Sequence, residues 1–193
     1  MKRFLYALVL LPMLLLSGCA GMNDMAHMRN LTFDFAGVSD ARLCGIAIGP
    51  GASYSNLSLA DVARLTAALL VHEAPLEATM HVRASNPAAN RVAATLSRMD
   101  WTLFVDDRRV LAGGLAHRVE FHAGQSSDIP LGVRIDLLTL GVSGARDIYN
   151  LALAIAGQGT ISKELRLELV PTVDTPMGPM TYPNPVIVRR AAR

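Results

Sequence analysis

The chain has 193 residues, 51% hydrophobic and 18% charged, with a formal net charge of +2 and a pI near 8.7. That length suffices for one domain with a sizeable core. The basic excess is Lys2 and Arg3 alone, and residues 19–193 carry 16 basic against 16 acidic side chains, a balance that argues against a nucleic-acid partner, which needs a clustered basic face.

Lys2 and Arg3 precede an apolar run from Phe4 to Leu16, whose 13 residues would cover only about 20 Å of a hydrocarbon layer about 30 Å thick. The run ends in Leu16-Ser17-Gly18-Cys19, with a branched apolar residue three places before the cysteine and small residues between them that let the extended chain enter a peptidase cleft. This segment resembles the lipobox of bacterial lipoproteins. The resemblance implies a signal peptide over residues 1–18, cleavage before Cys19, transfer of a diacylglyceryl group to its thiol and acylation of the new amino terminus. Each acyl CH₂ contributes about 0.8 kcal/mol, and two or more chains anchor stably. The expected partner is therefore a membrane, held through the lipid on Cys19 without a spanning helix. In lipoprotein sorting an aspartate after the cysteine retains the protein at the inner membrane; Ala20 stands there, so in a host with two membranes the expected place is the outer one, facing the periplasm. With Cys19 acylated, Cys44 has no partner for an intramolecular disulfide and is expected to be a small buried hydrophobe.

Residues 19–30 read as a tether. Residues 31–73 then form an N-terminal extension. Within it Leu31, Phe33 and Phe35 alternate with polar residues and predict a half-buried strand, residues 42–48 predict another, and Leu59, Val62, Leu65, Thr66 and Leu69 share one face of a helix at about 58–72, with Ser58 and Asp61 as its cap and Pro75 closing it. Alternation marks strands at residues 76–84, 129–137, 151–155 and 165–169. Between Val92 and Val105 the apolar parity changes from even to odd, which predicts a bulge near Ser97 and Arg98. Asp106-Asp107-Arg108 then turns the chain into a second hairpin strand that ends at Gly113-Gly114, and Val119 and Phe121 supply another short strand. Ser126-Ser127-Asp128 reads as a turn, and residues 173–193 as a Pro-rich segment with a final strand.

Many short strands with a single helix predict an all-β fold, an antiparallel β-sandwich of the immunoglobulin or fibronectin III kind with one added short helix. Val82-Arg83-Ala84-Ser85-Asn86-Pro87, the strand to Val105, Asp106-Asp107, Gly113-Gly114 and the strand at residues 129–137 occur in the order that resembles the core of the late embryogenesis abundant type 2 family, or WHy domain, over residues 74–172. Asn86 and Pro87 are the structural motif of that resemblance: proline supplies no ladder N–H, and asparagine can cap the turn. The chain departs from the family pattern at Ala88-Ala89 and in the added residues 31–73. The resemblance implies a role in stress or desiccation tolerance and no catalytic residues.

No nucleophile elbow, phosphate loop, His-Glu-x-x-His or Cys-x-x-Cys occurs, so neither an enzyme nor a cofactor is expected. His81, His117 and His122 form the best histidine set, but two histidines five apart on a strand face opposite sides, and no metal site is expected. Three roles stay open: a noncatalytic lipid-anchored envelope protein of the stress-protective kind, a binder of lipid or another apolar ligand, and a docking module for an envelope protein through residues 175–185. The second rests on residues 151–156, which as a strand would be apolar on both faces and need a cover, either the helix or a ligand.

Overall fold

The computed structural model describes residues 31–90, 93–116, 118–159, 163–175 and 178–190. Leu16, Ser17, Gly18 and Cys19, the tether, Val92 and His117 lie outside the described residues. Alternation does most of the folding. In β3 (Pro75–Ser85) the even residues from Leu76 to Ala84 are buried and the odd ones face outward; in β7 (Ser126–Asp136) Ile129, Leu131, Val133 and Ile135 are buried. Pairing β3 between β1 (Thr32–Leu43) and β7 makes a four-stranded antiparallel sheet, with the two-residue β2 (Ile46–Ala47) turned back onto the end of β1. A second antiparallel sheet runs β10 (Val186–Arg190), β8 (Leu165–Thr175), β4 (Ala94–Val105), β5 (Arg108–Leu115), with β6 (Val119–Phe121) and β9 (Gly178–Thr181) paired to the ends of β4 and β8. The inner faces share one apolar core, in which Met80, Leu96, Leu103 and Leu169 lose all contact with solvent; burial of a side chain of this size contributes about 1.5–3 kcal/mol. The fold is thus the expected all-β sandwich.

The bulge expected in β4 is present, as a register shift between Leu96 and Arg98 against β8. Four expectations change. Residues 151–155 are not a strand: they belong to α2 (Ala145–Ala156), so the described residues hold two α-helices rather than one. Ile148, Leu151, Ala152 and Ile155 repeat at i, i+3, i+4 and i+7, and Gly157 closes the helix in the left-handed conformation at φ 77°, donating its N–H to Leu153 and Ala154. Alternating Leu and Ala imitated a strand, but alanine carries the best helix propensity. Second, Pro75 does not close α1 (Leu59–Leu70) but opens β3; the helix ends at Val71, and of the expected face only Leu65 is buried, with Leu59 87% exposed. The Ser58 and Asp61 capping box does form. Third, Ser126-Ser127-Asp128 is the start of β7.

Fourth, β5 runs through Gly113-Gly114 to Leu115. Gly113 lies opposite Trp101 in the ladder, and a Cβ on it would come within 2.3 Å of the indole Cζ2. Glycine is there so that the ring can lie across its strand. Gly113→Val should therefore cost about 1–3 kcal/mol by overpacking, read as a lower urea midpoint with an unchanged slope; an unchanged midpoint would show that the indole moves aside freely.

Candidate functional site

The outer face of the four-stranded sheet is laid out in rows by the ladder register. Asp34, Arg83 and Asp128 share one row, Gly37, His81 and Pro130 the next, Ser39, Thr79 and Gly132 the third, and Arg42, Glu77 and Arg134 the fourth. β1 keeps this register through two shifts, between Phe35 and Gly37 and between Ser39 and Arg42. Gly37 has φ 145° and Asp40 φ 52°, both in the left-handed half of backbone space, where glycine and aspartate are better tolerated than most residues. The first shift returns Val38 to the core opposite Met80; the second returns Ala41 and Leu43 to the core.

These rows bring together a cluster that spacing in the sequence did not reveal. Ser39 Oγ lies 2.8 Å from His81 Nε2, and His81 Nδ1 lies 2.5 Å from Asp128 Oδ2. Ser39 Oγ is also within 2.8 Å of Asp40 Oδ2, to which it can donate. With Nδ1–H donated to Asp128, a neutral His81 presents the Nε2 lone pair to the serine hydroxyl; with both nitrogens protonated, Nε2–H donates to Ser39, whose own proton turns to Asp40. Gly37 places no side chain opposite the imidazole. Beside the cluster, Thr79 and Gly132 help floor an open depression of about 420 Å³ edged by Asp40, Arg42, Glu77 and Arg134. Arg134 is ion-paired with Glu77, whereas no ion pair holds Arg42 among the described residues. The sequence contained one hint, that His81 falls on the polar side of its strand. Ser39 and Asp128 could not be attached to it without the register.

The other expected residues fall elsewhere. Asn86, 1% exposed, ends β3 as a junction between two loops: its N–H donates to Gln125 O, its carbonyl accepts from Gly124, its Nδ2 donates to Phe121 O at 3.0 Å and its Oδ1 accepts from Asn90 Nδ2 at 2.6 Å. Pro87 O accepts from the N–H of Asn90, closing the same turn. His122 is exposed beside Glu120, apart from His81, and no group of three or more His, Cys, Asp or Glu among the described residues is placed to hold a metal ion. Cys44 is half-buried against the core in the turn between β1 and β2; burial first, then the nearby Asp136, push its thiol above the ordinary cysteine range. A second depression of about 420 Å³ lies between this turn region and α1, reaching Asp61, Arg64 and Tyr149. There the hydrogen bond from Ser58 holds the Asp61 carboxyl below its usual range, and burial followed by Asp61 raises the Tyr149 hydroxyl.

No helix among the described residues is long and apolar enough to cross a membrane. No family model matches the chain, and no curated protein matches it. Among solved structures, a crystal structure of a protein from Archaeoglobus fulgidus is 13% identical with a TM-score of 0.36, covering 62% of this chain and 86% of the other. The solution structure of a protein from Arabidopsis thaliana is 16% identical with a TM-score of 0.39, over 60% of this chain and 68% of the other. The solution structure of a proposed late embryogenesis abundant (LEA) protein is 11% identical with a TM-score of 0.37, over 87% of this chain and 75% of the other. Likenesses this distant assign no activity to any residue here.

Replacing Asn86 by alanine removes its bonds to Phe121 and Asn90 and leaves buried partners unpaired, a loss of about 1–3 kcal/mol that thermal unfolding should show as a lower midpoint. At pH 7–8, where a raised pKa leaves little thiolate, Cys44 in a Cys19→Ala protein should react with Ellman's reagent more slowly than the same thiol in urea; equal rates would mean that the folded chain does not shield it.

Proposed function

We propose that the chain is a lipid-anchored protein of the cell envelope with a protective role of the late embryogenesis abundant type 2 kind, in stress or desiccation. The observation that carries this reading is the approach to Cys19: Lys2 and Arg3, a 13-residue apolar run, then Leu16-Ser17-Gly18-Cys19. Its second half rests on the ordered motif from Val82 to Leu137, within which Asn86-Pro87 ties the end of β3 to the loop before β7. Ala20 after the cysteine favours the outer membrane, facing the periplasm. Nothing in this role requires chemistry at the protein's surface.

Carriage of an apolar ligand loses its motive, because residues 151–156 are a helix packed among β1, α1 and the short 3₁₀ turns at Tyr54–Asn56 and Leu137–Leu140 rather than an uncovered strand. Docking through residues 175–185 gains no support either: Gly178–Thr181 is already paired with β8.

The anchor is tested by growing cells with labelled palmitate. The wild-type chain should take up label and sediment with membranes, while Cys19→Ala should take up none and leave that fraction or remain unprocessed; label on the variant would overturn the anchor. Survival of a deletion strain after drying tests the role, and survival equal to the parent would count against it.

A further inference from the structure

We propose that Ser39 is an activated nucleophile, with His81 as its general base and Asp128 as the residue that positions His81, and that it accepts an acyl group from a small ester carrying an anionic group. This goes beyond a passive envelope role and does not depend on the anchor.

The geometry has the order that such chemistry needs: a hydroxyl within hydrogen-bond reach of an imidazole nitrogen, at 2.8 Å, and the other nitrogen held by a carboxylate, at 2.5 Å. A serine hydroxyl is a weak nucleophile unless a base takes its proton as it attacks, and a base works only when its lone pair faces that hydroxyl. Asp128 fixes this orientation, because a carboxylate accepts from Nδ1–H and leaves the lone pair on Nε2. The three residues sit on three neighbouring strands of one sheet, a more rigid mount than loops. The shift of β1 at Gly37 turns Ser39 onto the outer face beside His81, as bulges commonly do for side chains near sites.

The depression beside the cluster supplies space for a substrate. Ser39 shares its row with Thr79 and Gly132, small residues that keep the sheet surface low there. Glu77 in the same depression is ion-paired with Arg134 and Asp40 is bonded to Ser39, whereas Arg42, one row beyond and without an ion pair among the described residues, is the cation left to meet an anionic substituent. In the acylation step Ser39 Oγ attacks the ester carbonyl, the Oγ–C bond forms, the hydroxyl proton passes to His81 Nε2, and the alkoxide leaving group departs with that proton as the ester C–O bond breaks. When His81 is protonated the serine proton lies on Asp40 and no base is available, so the reactive state is the neutral imidazole, which takes that proton in competition with Asp40. Of the charged groups on this face, Asp34 from β1, Arg83 from the same strand as His81 and Asp128 from β7 occupy the adjacent row, Asp40 of β1 is bonded to Ser39, and Arg42, Glu77 and Arg134 stand two rows away.

The test uses the full chain in detergent with a fluorophosphonate probe, which loses fluoride as Oγ bonds to phosphorus. One phosphonyl adduct should form and map to Ser39 by peptide mass spectrometry, with Ser39→Ala lowering the labelling rate at least twentyfold. His81→Gln and Asp128→Asn, both outward-facing and checked for native circular dichroism, should each lower it at least tenfold. The rate should rise with pH, and that rise should vanish in His81→Gln, a readout that a merely structural histidine would not move. Acylation by a p-nitrophenyl ester bearing a carboxylate should be faster than by the neutral ester, and Arg42→Gln should remove the difference. Labelling of Ser39→Ala at the wild-type rate, or a pH profile unchanged in His81→Gln, would overturn the proposal. Because the probe reads Ser39 whether or not Cys19 is acylated, failure here leaves the anchor untouched, and failure of the palmitate test leaves this site untouched.

Discussion

Every backbone group of β1 that leaves water must find a partner on β3, yet the apolar residues of β1 do not keep one parity. Phe33, Val38 and Leu43 all face the core, and a strand of strict period two cannot bury all three. The chain resolves this by letting β1 slip twice against β3 while the ladder continues on either side. The rest of the outer face follows from those slips. Without the first slip, at Gly37, Ser39 would point inward, and the hydroxyl would be a buried polar group instead of a partner for His81.

A second joint closes the sandwich along the margin where β1 runs beside β10. α2 crosses from one sheet to the other there, and its last carbonyls run out of i+4 donors within the helix. Arg190 of β10 donates to Ala154 O and Ile155 O at 2.7 and 2.8 Å, and its guanidinium lies 5.6 Å from the centre of the Phe35 ring on β1. One side chain thus joins a strand of each sheet to the helix between them. Asn86 performs the matching task at the far end of β3, where two loops meet.

Much of this was legible because a half-buried sheet imposes a period on its sequence. Leu76 to Ala84 and Ile129 to Ile135 announce their faces, and the parity change at Ser97 announced the bulge in β4. The misread elements share a cause: a local pattern that admits two structures, decided by a distant partner. Leu-Ala alternation from Leu151 to Ala156 fits a strand of period two, while the helical repeat begins three residues earlier at Ile148. Gly113-Gly114 reads as a strand end, since nothing local says that Trp101 will occupy the vacant side. Ser39, His81 and Asp128 are separated by 42 and 47 residues, and only the register of β1, β3 and β7 makes them neighbours. The bulges that set that register are carried by φ values at Gly37 and Asp40, which leave a weaker trace in sequence than side-chain hydrophobicity does.

The strand that would carry the tether is also the strand that carries Ser39. From Leu31 to Ser39 the chain rises roughly 26 Å at about 3.3 Å per residue, and residues 19–30, fully extended, reach at most about 40 Å. In the proposed anchored form the nucleophile therefore works within about 65 Å of the lipid surface, and a slack tether brings it much nearer. Confinement of that kind restricts which esters the site meets more than its shallow walls do, because an open depression on a sheet face offers little shape selection beyond the charge of Arg42. Selectivity in such a protein would come from where the chain is held, and the lipid on Cys19 would then be part of the specificity of Ser39.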